Sequence, residues 1–471
     1  MPAPDWLHFT GIGGSGMSAL AQFHVQASGQ AGGRATGSDR AFDAGERQHI
    51  RQKLEDLGID IVPQDGNGLT SDCAGVVVST AVEDSVPDVR VAKQLDLPIL
   101  HRSELLASYV ADFRTIAISG TSGKSTVTAM TFTILRGAGR DPSLLTGGNL
   151  VSLMDDGYLG NAWAGRSDLL VIEADESDGS LVRYRPWAGV LLNLRLDHKE
   201  PEELAEIFHT FRRRTTGPFL VGEDRNLAPF AESATRFGLR AYCDVKGEKV
   251  ALTRNGSSFR VADTEFTLPV PGHYNVLNAL AAIAACQAAG VELSAMVEPL
   301  ARFKGVSRRF QSVGTCNGIE VIDDFAHNPD KIGAALAAAH SRLDRSTGGR
   351  LLAVFQPHGY GPTRFLRDAL IETFCLKLRA VDQVWLPEIY YAGGSVTRDI
   401  SSRDIVEAVS ANGATAHFQA RREDIVGELA AAAQPGDLIL VMGARDPSLT
   451  DFCKQIVDTL ARRHGAGDTA P

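Results

Sequence analysis

Apolar residues fall in short runs that end in small or polar residues and lead into longer stretches with helical spacing, the rhythm of a chain that alternates strand and helix. Near the start, Trp6 to Thr10, Ile59 to Val62, Gly75 to Ser79 and Pro98 to Leu100 predict strands, and Met17 to Ala27 and Ala44 to Leu57 predict helices. A small parallel sheet closing near Phe113 follows from this order. The rhythm restarts with an apolar run from Ile116 to Ser119, a helical stretch from Val127 to Arg136, and buried-strand patterns within Asp168 to Asp178 and Gly189 to Leu194. From Leu239 to Val270 it shortens to alternating stretches broken by turn-forming residues, which predicts appended antiparallel hairpins. A third series has strands at Ile319 to Asp323, Arg350 to Phe355, Gln383 to Leu386 and Asp437 to Met442, with helices near Pro329 to Leu343, Thr363 to Leu378 and Arg422 to Ala433. The expected fold class is α/β in three domains, 1–113, 114–312 and 313–471.

Composition narrows the functions such a chain can have. Its 471 residues suit about three domains of ordinary size. A net charge of −10 excludes a general nucleic-acid binder but allows a local basic cleft for a small anion such as a nucleotide. The six cysteines form no Cys-x-x-Cys pair, which argues against zinc and against a disulfide scaffold. No signal peptide and no apolar run of the roughly 18 residues needed to span a bilayer is apparent, so the expectation is a soluble, cytoplasmic protein with no membrane partner.

The chemistry is concentrated where strands end. Ile116 to Thr126 ends in Gly120-Thr121-Ser122-Gly123-Lys124-Ser125-Thr126, a phosphate cradle: glycines turn backbone N–H groups inward, Lys124 brings charge and Ser125 can hold magnesium. The general pattern wants glycine where this chain has Ile118. Earlier, Gly11, Gly13 and Gly16 satisfy G-x-G-x-x-G between a strand and a helix, with Asp39 at the spacing of a ribose contact. An NAD site, the site of another diphosphate and a plain packing turn all fit that pattern. Acids crowd the end of the Asp168 run, and Asp197-His198 ends the next strand, so Ser125, Glu173 and His198 are candidate magnesium ligands; the same acids can cap helices. Asn275 and Asn278, three apart at the start of an alanine-rich helix, share a face and can read an adenine edge or cap the helix. Arg308-Arg309-Phe310 follows a glycine-containing loop and reads as a hinge. Asp323-Asp324 to His327, Gln356 to His358, and Gly443 to Asp446 are three polar strand ends expected to line one cleft.

The motifs, taken in this order over nearly the whole chain, resemble the Mur ligase family, most closely its alanine-adding branch. Gly11 to Ser18, Ser38-Asp39, Val77 to Ala81, the short phosphate loop that also lacks the leading glycine, Glu173 to Asp178, Asn193 to His198, Gly272 to Asn278, Arg308 to Phe310 and Asp323 to Pro329 carry the resemblance. It implies an ATP- and magnesium-dependent ligase that joins an amino acid to UDP-N-acetylmuramate through an acyl phosphate, with two Rossmann-like sheets flanking a central phosphate-loop ATPase-like domain. By resemblance the first domain holds the UDP substrate with Gly13, Gly14, Ser15, Gly16, Met17, Ser38, Asp39, Ser79 and Thr80. Gly120 to Thr126, Asn275, Asn278, Asp324 and Arg309 hold ATP, the asparagines at adenine, Asp324 at ribose and Arg309 at the phosphates. Lys124, Glu173, His198 and Arg309 are the catalytic set, and His327, His358 and Arg445 face the acceptor.

The resemblance weakens at the acceptor. Where the branch usually has two arginines of the amino-acid carboxylate site, this chain has Gly359 and Pro362, and it gains Arg445 where glycine is usual. Arg445 is the expected replacement, with Arg364 and Arg398 next in line; a family member that adds a preformed tripeptide, or a paralogue with another acceptor, is the alternative reading. A non-catalytic nucleotide-binding regulator would be expected to lose Lys124 or the acids, and an NAD dehydrogenase leaves the Gly120 loop unexplained.

Overall fold

The structure, a computed structural model, describes residues 6–27, 33–176, 179–194, 201–254, 256–343, 348–391, 397–444, 446 and 448–464. Two compact units make up the chain, residues 1–252 with 256–306, and residues 253–255 with 307–471.

The first unit holds two sheets. One runs Asp60–Ile61, Arg34–Ser38, Trp6–Thr10, Gly75–Val78, Ile99–His101, with every neighbour parallel. Strand order reverses beside Trp6–Thr10, where open α/β sheets place their ligand crevice, and the glycine loop leaves that strand's carboxyl end. The second sheet has ten strands, with Arg114–Ser119 between Ala188–Leu191 and Leu169–Glu173, all three parallel. The phosphate loop therefore emerges between the ends of two buried strands.

Helices Lys124–Gly137 and His273–Ala288 cover one face of the second sheet, burying Met130, Phe132, Ala279 and Ile283 with Ile118. Its other face shares one apolar cluster with the first sheet, in which Phe23 and Tyr109 meet Leu145, Leu159 and Ala162. A buried amide fastens the two. Asn161 donates to the Ser15 carbonyl at 2.8 Å and the Ser18 hydroxyl at 3.0 Å, and accepts from Gln22 at 2.9 Å.

Three local expectations change. The helix predicted over Ala44 to Leu57 begins only at Gln48 and runs to Asp56, because Gly45 and Arg47 take positive φ before it; a separate turn of helix, Arg40–Asp43, capped by Asp39, precedes the predicted range. Not all of Leu239 to Val270 is antiparallel: Val245–Thr253 joins Thr235–Gly238 in parallel, while Gly256–Val261 and Thr264–Leu268 form an antiparallel hairpin as expected. The third sheet, Gln311–Cys316, Ile319–Asp324, Leu438–Gly443, Leu351–Gln356, Gln383–Pro387, Thr415–Gln419, has the four predicted strands and two more. Its first strand pairs antiparallel through a two-residue turn, Asn317-Gly318, both at positive φ, and its other neighbours are parallel. No helix of the described residues is long and apolar enough to cross a membrane, and all six cysteines are free thiols.

Candidate active site

Helix Lys124–Gly137 begins at the lysine itself, after Gly120 (φ +137°) and Gly123 (φ +89°) have turned the backbone. Asn193, beyond the neighbouring strand, sets the loop's shape. Its Oδ1 accepts from the Ser122 N–H at 2.9 Å and the Thr121 hydroxyl at 2.8 Å, and its Nδ2 donates to the Ser122 carbonyl at 2.9 Å. Lys124 Nζ donates to the Gly120 carbonyl at 2.8 Å and to Glu176 Oε2 at 2.7 Å, with Asp175 Oδ1 at 3.5 Å. Burial opposes the ammonium charge, but Glu176, Asp175 and Glu173 more than offset it and raise the lysine's pKa. Burial also raises Glu176 against the pull of Lys124. Both groups therefore hold a proton more tightly than usual, and with three carboxylates near it the lysine is a charged ammonium.

Glu173 ends the strand on the other side of the loop. Its Oε1 accepts from the Ser125 hydroxyl at 2.9 Å, and its Oε2 from the Thr146 hydroxyl at 2.7 Å and the Gly147 N–H at 2.9 Å. A hydroxyl and a fixed carboxylate beside a phosphate loop are the hard oxygen donors magnesium takes, so these residues fit that ion. Among the described residues no three His, Cys, Asp or Glu side chains gather as a metal cluster, and His198 lies outside the described residues.

Asn275 and Asn278 do share a face of helix His273–Ala288. Asn278 Nδ2 donates to Asn275 Oδ1 at 3.3 Å, and Asn275 donates back to the Pro271 carbonyl at 2.8 Å. Asn278 reaches the loop: a β-carbon on Gly123 would stand 2.6 Å from its Oδ1.

In the first sheet, Gly11 and Ile12 donate to the Ser38 carbonyl, at 2.8 and 3.0 Å, and Asp39 accepts from the N–H groups of Gly13 and Ala41, each at 2.9 Å. Asp39 therefore shapes the glycine loop and caps the next helix. The Ser38 side chain is fully buried and gives its hydroxyl to Asp88, so this residue acts on the loop through its backbone. Two arginines that the sequence did not single out flank the loop. Arg47 Nη1 donates to the Gly13 carbonyl at 3.4 Å, and a β-carbon on Gly16 would lie 2.8 Å from Arg102 Nη1. Ser15 is exposed, Met17 is buried under the loop, and Ser79 and Thr80 begin the turn that places Val82 3.7 Å from a β-carbon on Gly11. A loop with two guanidinium groups suits a diphosphate.

In the second unit, the ends of Ile319–Asp324 and Leu351–Gln356 converge although Leu438–Gly443 runs between them: the His327 and His358 rings lie 5.8 Å apart. Asp324 accepts from the N–H groups of Phe310, at 2.7 Å, and Ala326, at 2.8 Å. Burial pushes its carboxyl up to about 6, against the opposing pull of Arg309 and of those two bonds. Arg309 stands over Phe325, its Cζ 5.1 Å from the ring, between two residues at positive φ, Arg308 and Phe310. Arg445 lies outside the described residues.

Compared with known proteins, residues 7–114 match the catalytic domain of the Mur ligase family, 118–286 the Mur ligase middle domain and 308–445 the Mur ligase glutamate ligase domain. The chain belongs to the Mur ligase family. Among curated relatives, the UDP-N-acetylmuramate–L-alanine ligases of Geobacter sulfurreducens and Agrobacterium fabrum are 35% and 34% identical to it, over 93% of this chain and 94% and 93% of theirs. The crystal structure of the UDP-N-acetylmuramate–alanine ligase MurC from Thermotoga maritima superposes with a TM-score of 0.79 at 27% identity, covering 98% of this chain and 99% of that one. A murein peptide ligase from Psychrobacter arcticus shares the fold, with a TM-score of 0.68 at 22% identity over 97% and 98% of the two chains. Within this Mur ligase, the structure brings Gly120 to Thr126, Glu173, Asn275 and Asn278 around one loop. Thr146, Asn193, Glu176, Arg47 and Arg102 join the expected residues; of these, only Asn193 and Glu176 stand in runs with a sequence signal.

Proposed function

We propose that this Mur ligase joins L-alanine to the carboxylate of UDP-N-acetylmuramate at the expense of ATP, as a cytoplasmic enzyme of peptidoglycan precursor synthesis. The observation that carries the ATP half is the phosphate loop with Lys124 among three carboxylates and Ser125 against Glu173. The L-alanine half is supported by the names of relatives that match over 93% of the chain, whereas the likeness to a peptide ligase at 22% identity is one of fold. The tripeptide alternative is accordingly not favoured.

The loop's N–H groups and Lys124 hold the triphosphate, with Asn275 and Asn278 at the adenine. In the second unit Asp324 serves the ribose and Arg309 the phosphates. Arg47, Arg102 and the Gly13-Gly14-Ser15-Gly16 loop, with Met17, Ser38, Asp39, Ser79 and Thr80, hold the UDP substrate, in part by shaping the loop. A muramate carboxylate oxygen attacks the γ-phosphorus, the bond to ADP breaks, and an acyl phosphate forms. The amine then attacks its carbonyl carbon, phosphate leaves and the nitrogen loses a proton. Lys124 stabilises charge on the phosphoryl oxygens in the first step, where fixed charge has its greatest effect. Magnesium, held by Ser125, Glu173 and His198, would add charge neutralisation at the same oxygens. His327 and His358, with Arg445, face the amino acid. The test is ADP release with UDP-N-acetylmuramate and a panel of amino acids and peptides; turnover with L-alanine is expected, and its absence with every amino acid overturns the reading.

A further inference from the structure

Several arginines of the second unit near its polar strand ends are committed to protein partners. Arg308 donates to Asp323 at 3.3 Å and to the Gly443 carbonyl at 2.7 Å, Arg364 pairs with Asp399 and donates to the Thr397 carbonyl at 3.2 Å, and Arg422 pairs with Asp446. Arg398 is held differently. Its Cζ lies 4.4 Å from the centre of the Tyr391 ring and 5.8 Å from that of Tyr360, the two rings being 5.7 Å apart, and it has no hydrogen bond or ion pair to a described residue. Faces of aromatic rings hold a guanidinium by its flat side and leave its N–H edge open.

This arginine is next door to the acceptor histidines. Gly359 N–H donates to the Tyr390 carbonyl at 2.9 Å and Tyr390 N–H to the Pro357 carbonyl at 2.8 Å, so His358 is bridged to the residue just before Tyr391. Tyr360 follows His358 by one glycine, and the turn itself presents no cation: positions 359 and 361 are glycines and 362 is proline. An amino acid brings a carboxylate here, and a carboxylate drawn out of water without a cationic partner is unfavourable.

We propose that Arg398, clamped by Tyr391 and Tyr360, is the residue that grips the carboxylate of the incoming amino acid. The proposal rests on the L-alanine reading above. Two N–H groups along one edge of the guanidinium meet the two carboxylate oxygens, leaving the amine free to react and the side chain beside the open turn at Gly361, where a β-carbon would meet nothing within 4 Å.

The experiment compares L-alanine with L-alaninamide, which keeps the amine and lacks the carboxylate, by ADP release in the wild type and in Arg398→Ala, Arg398→Lys, Tyr391→Leu and Arg445→Ala. Arg398→Ala is expected to raise the KM for L-alanine at least tenfold, to leave the KM values for ATP and UDP-N-acetylmuramate within about twofold, and to abolish the preference for alanine over alaninamide. Arg398→Lys should recover part of the loss, and Tyr391→Leu should weaken alanine more than alaninamide. An unchanged KM for alanine in Arg398→Ala overturns the proposal alone, as does a loss of the alanine preference that follows Arg445→Ala instead. A wild type inactive with every amino acid overturns the ligase reading and the proposal together.

Discussion

At Lys124 two demands meet: the ammonium must stay charged in a partly buried loop, and it must be able to leave Glu176 for a phosphate. Lys124→Ala should lower kcat on the order of a hundred- to a thousandfold while the protein stays folded, and near-wild-type turnover would count against the loop as the ATP site. Glu173 and Ser125 meet at 2.9 Å, so their substitutions should be strongly non-additive, and raising magnesium should partly rescue either single variant. Independent, additive losses without metal dependence would argue against a shared ion. Asp324 supplies a pH signature. With its folded-state pKa raised to about 6 from 3.8, the group favours folding most below about 4, and that contribution is lost as pH rises through 6. If Asp324 accepts from the ribose as proposed, it works best ionised, so the KM for ATP should rise as pH falls through about 6 in the wild type and stay level in Asp324→Asn.

Among the elements, the strand ends fix what could be read in advance. The phosphate loop, the glycine loop and the acids after the Leu169–Glu173 strand are each written in consecutive residues, and the structure sets Glu173 against Ser125 of the phosphate loop. Thr146 and Arg102 reach the same places from distant segments, after short strands whose ends carry no motif, so nothing local marks them. The helix expected from Ala44 starts four residues late because Gly45 and Arg47 take positive φ, a backbone choice that the apolar pattern does not register. Gly123 is a place where element geometry is exacting. Gly123→Ala demands φ of +89° and drives a β-carbon to 2.6 Å from Asn278 Oδ1, so it should lose about 1–3 kcal/mol of stability and weaken ATP binding; an unchanged Tm and KM would show that Asn278 is free to move aside. In the third sheet, Asp382 ties a strand start to two neighbours, accepting from the Leu351 N–H at 2.9 Å, His340 at 2.8 Å and Arg379 at 2.7 Å. Burial works against its charge, but these bonds outweigh it and hold the carboxyl well below the usual range. Its stabilisation is present above the ordinary aspartate pKa and is lost as pH falls further, so Asp382→Asn should lower the Tm at pH 7 and flatten the acid limb of a stability–pH curve.

For the molecule as a whole, the first two sheets behave as one body because Asn161 and a continuous apolar cluster join them. Asn161→Ala removes one hydrogen bond each from the Ser15 carbonyl, the Ser18 hydroxyl and Gln22, leaving them only their links through Ser18, and should cost about 1–3 kcal/mol, read as a lower Tm with a raised KM for the UDP substrate. A shift in neither would mean that water replaces the amide. The turn at Gly359 has a further consequence, for what the sequence can become. Position 359 holds φ of +72°, and a β-carbon there would press on the Pro362 ring at 3.3 Å. An arginine introduced at 359 alone must adopt a backbone that side chains resist and push against that ring, whereas one introduced at 362 alone leaves Gly359 free to keep its φ. The two positions are thus coupled in order: an exchange at 362 first clears the ring that a side chain at 359 would meet, whereas an exchange at 359 first meets both the ring and the backbone.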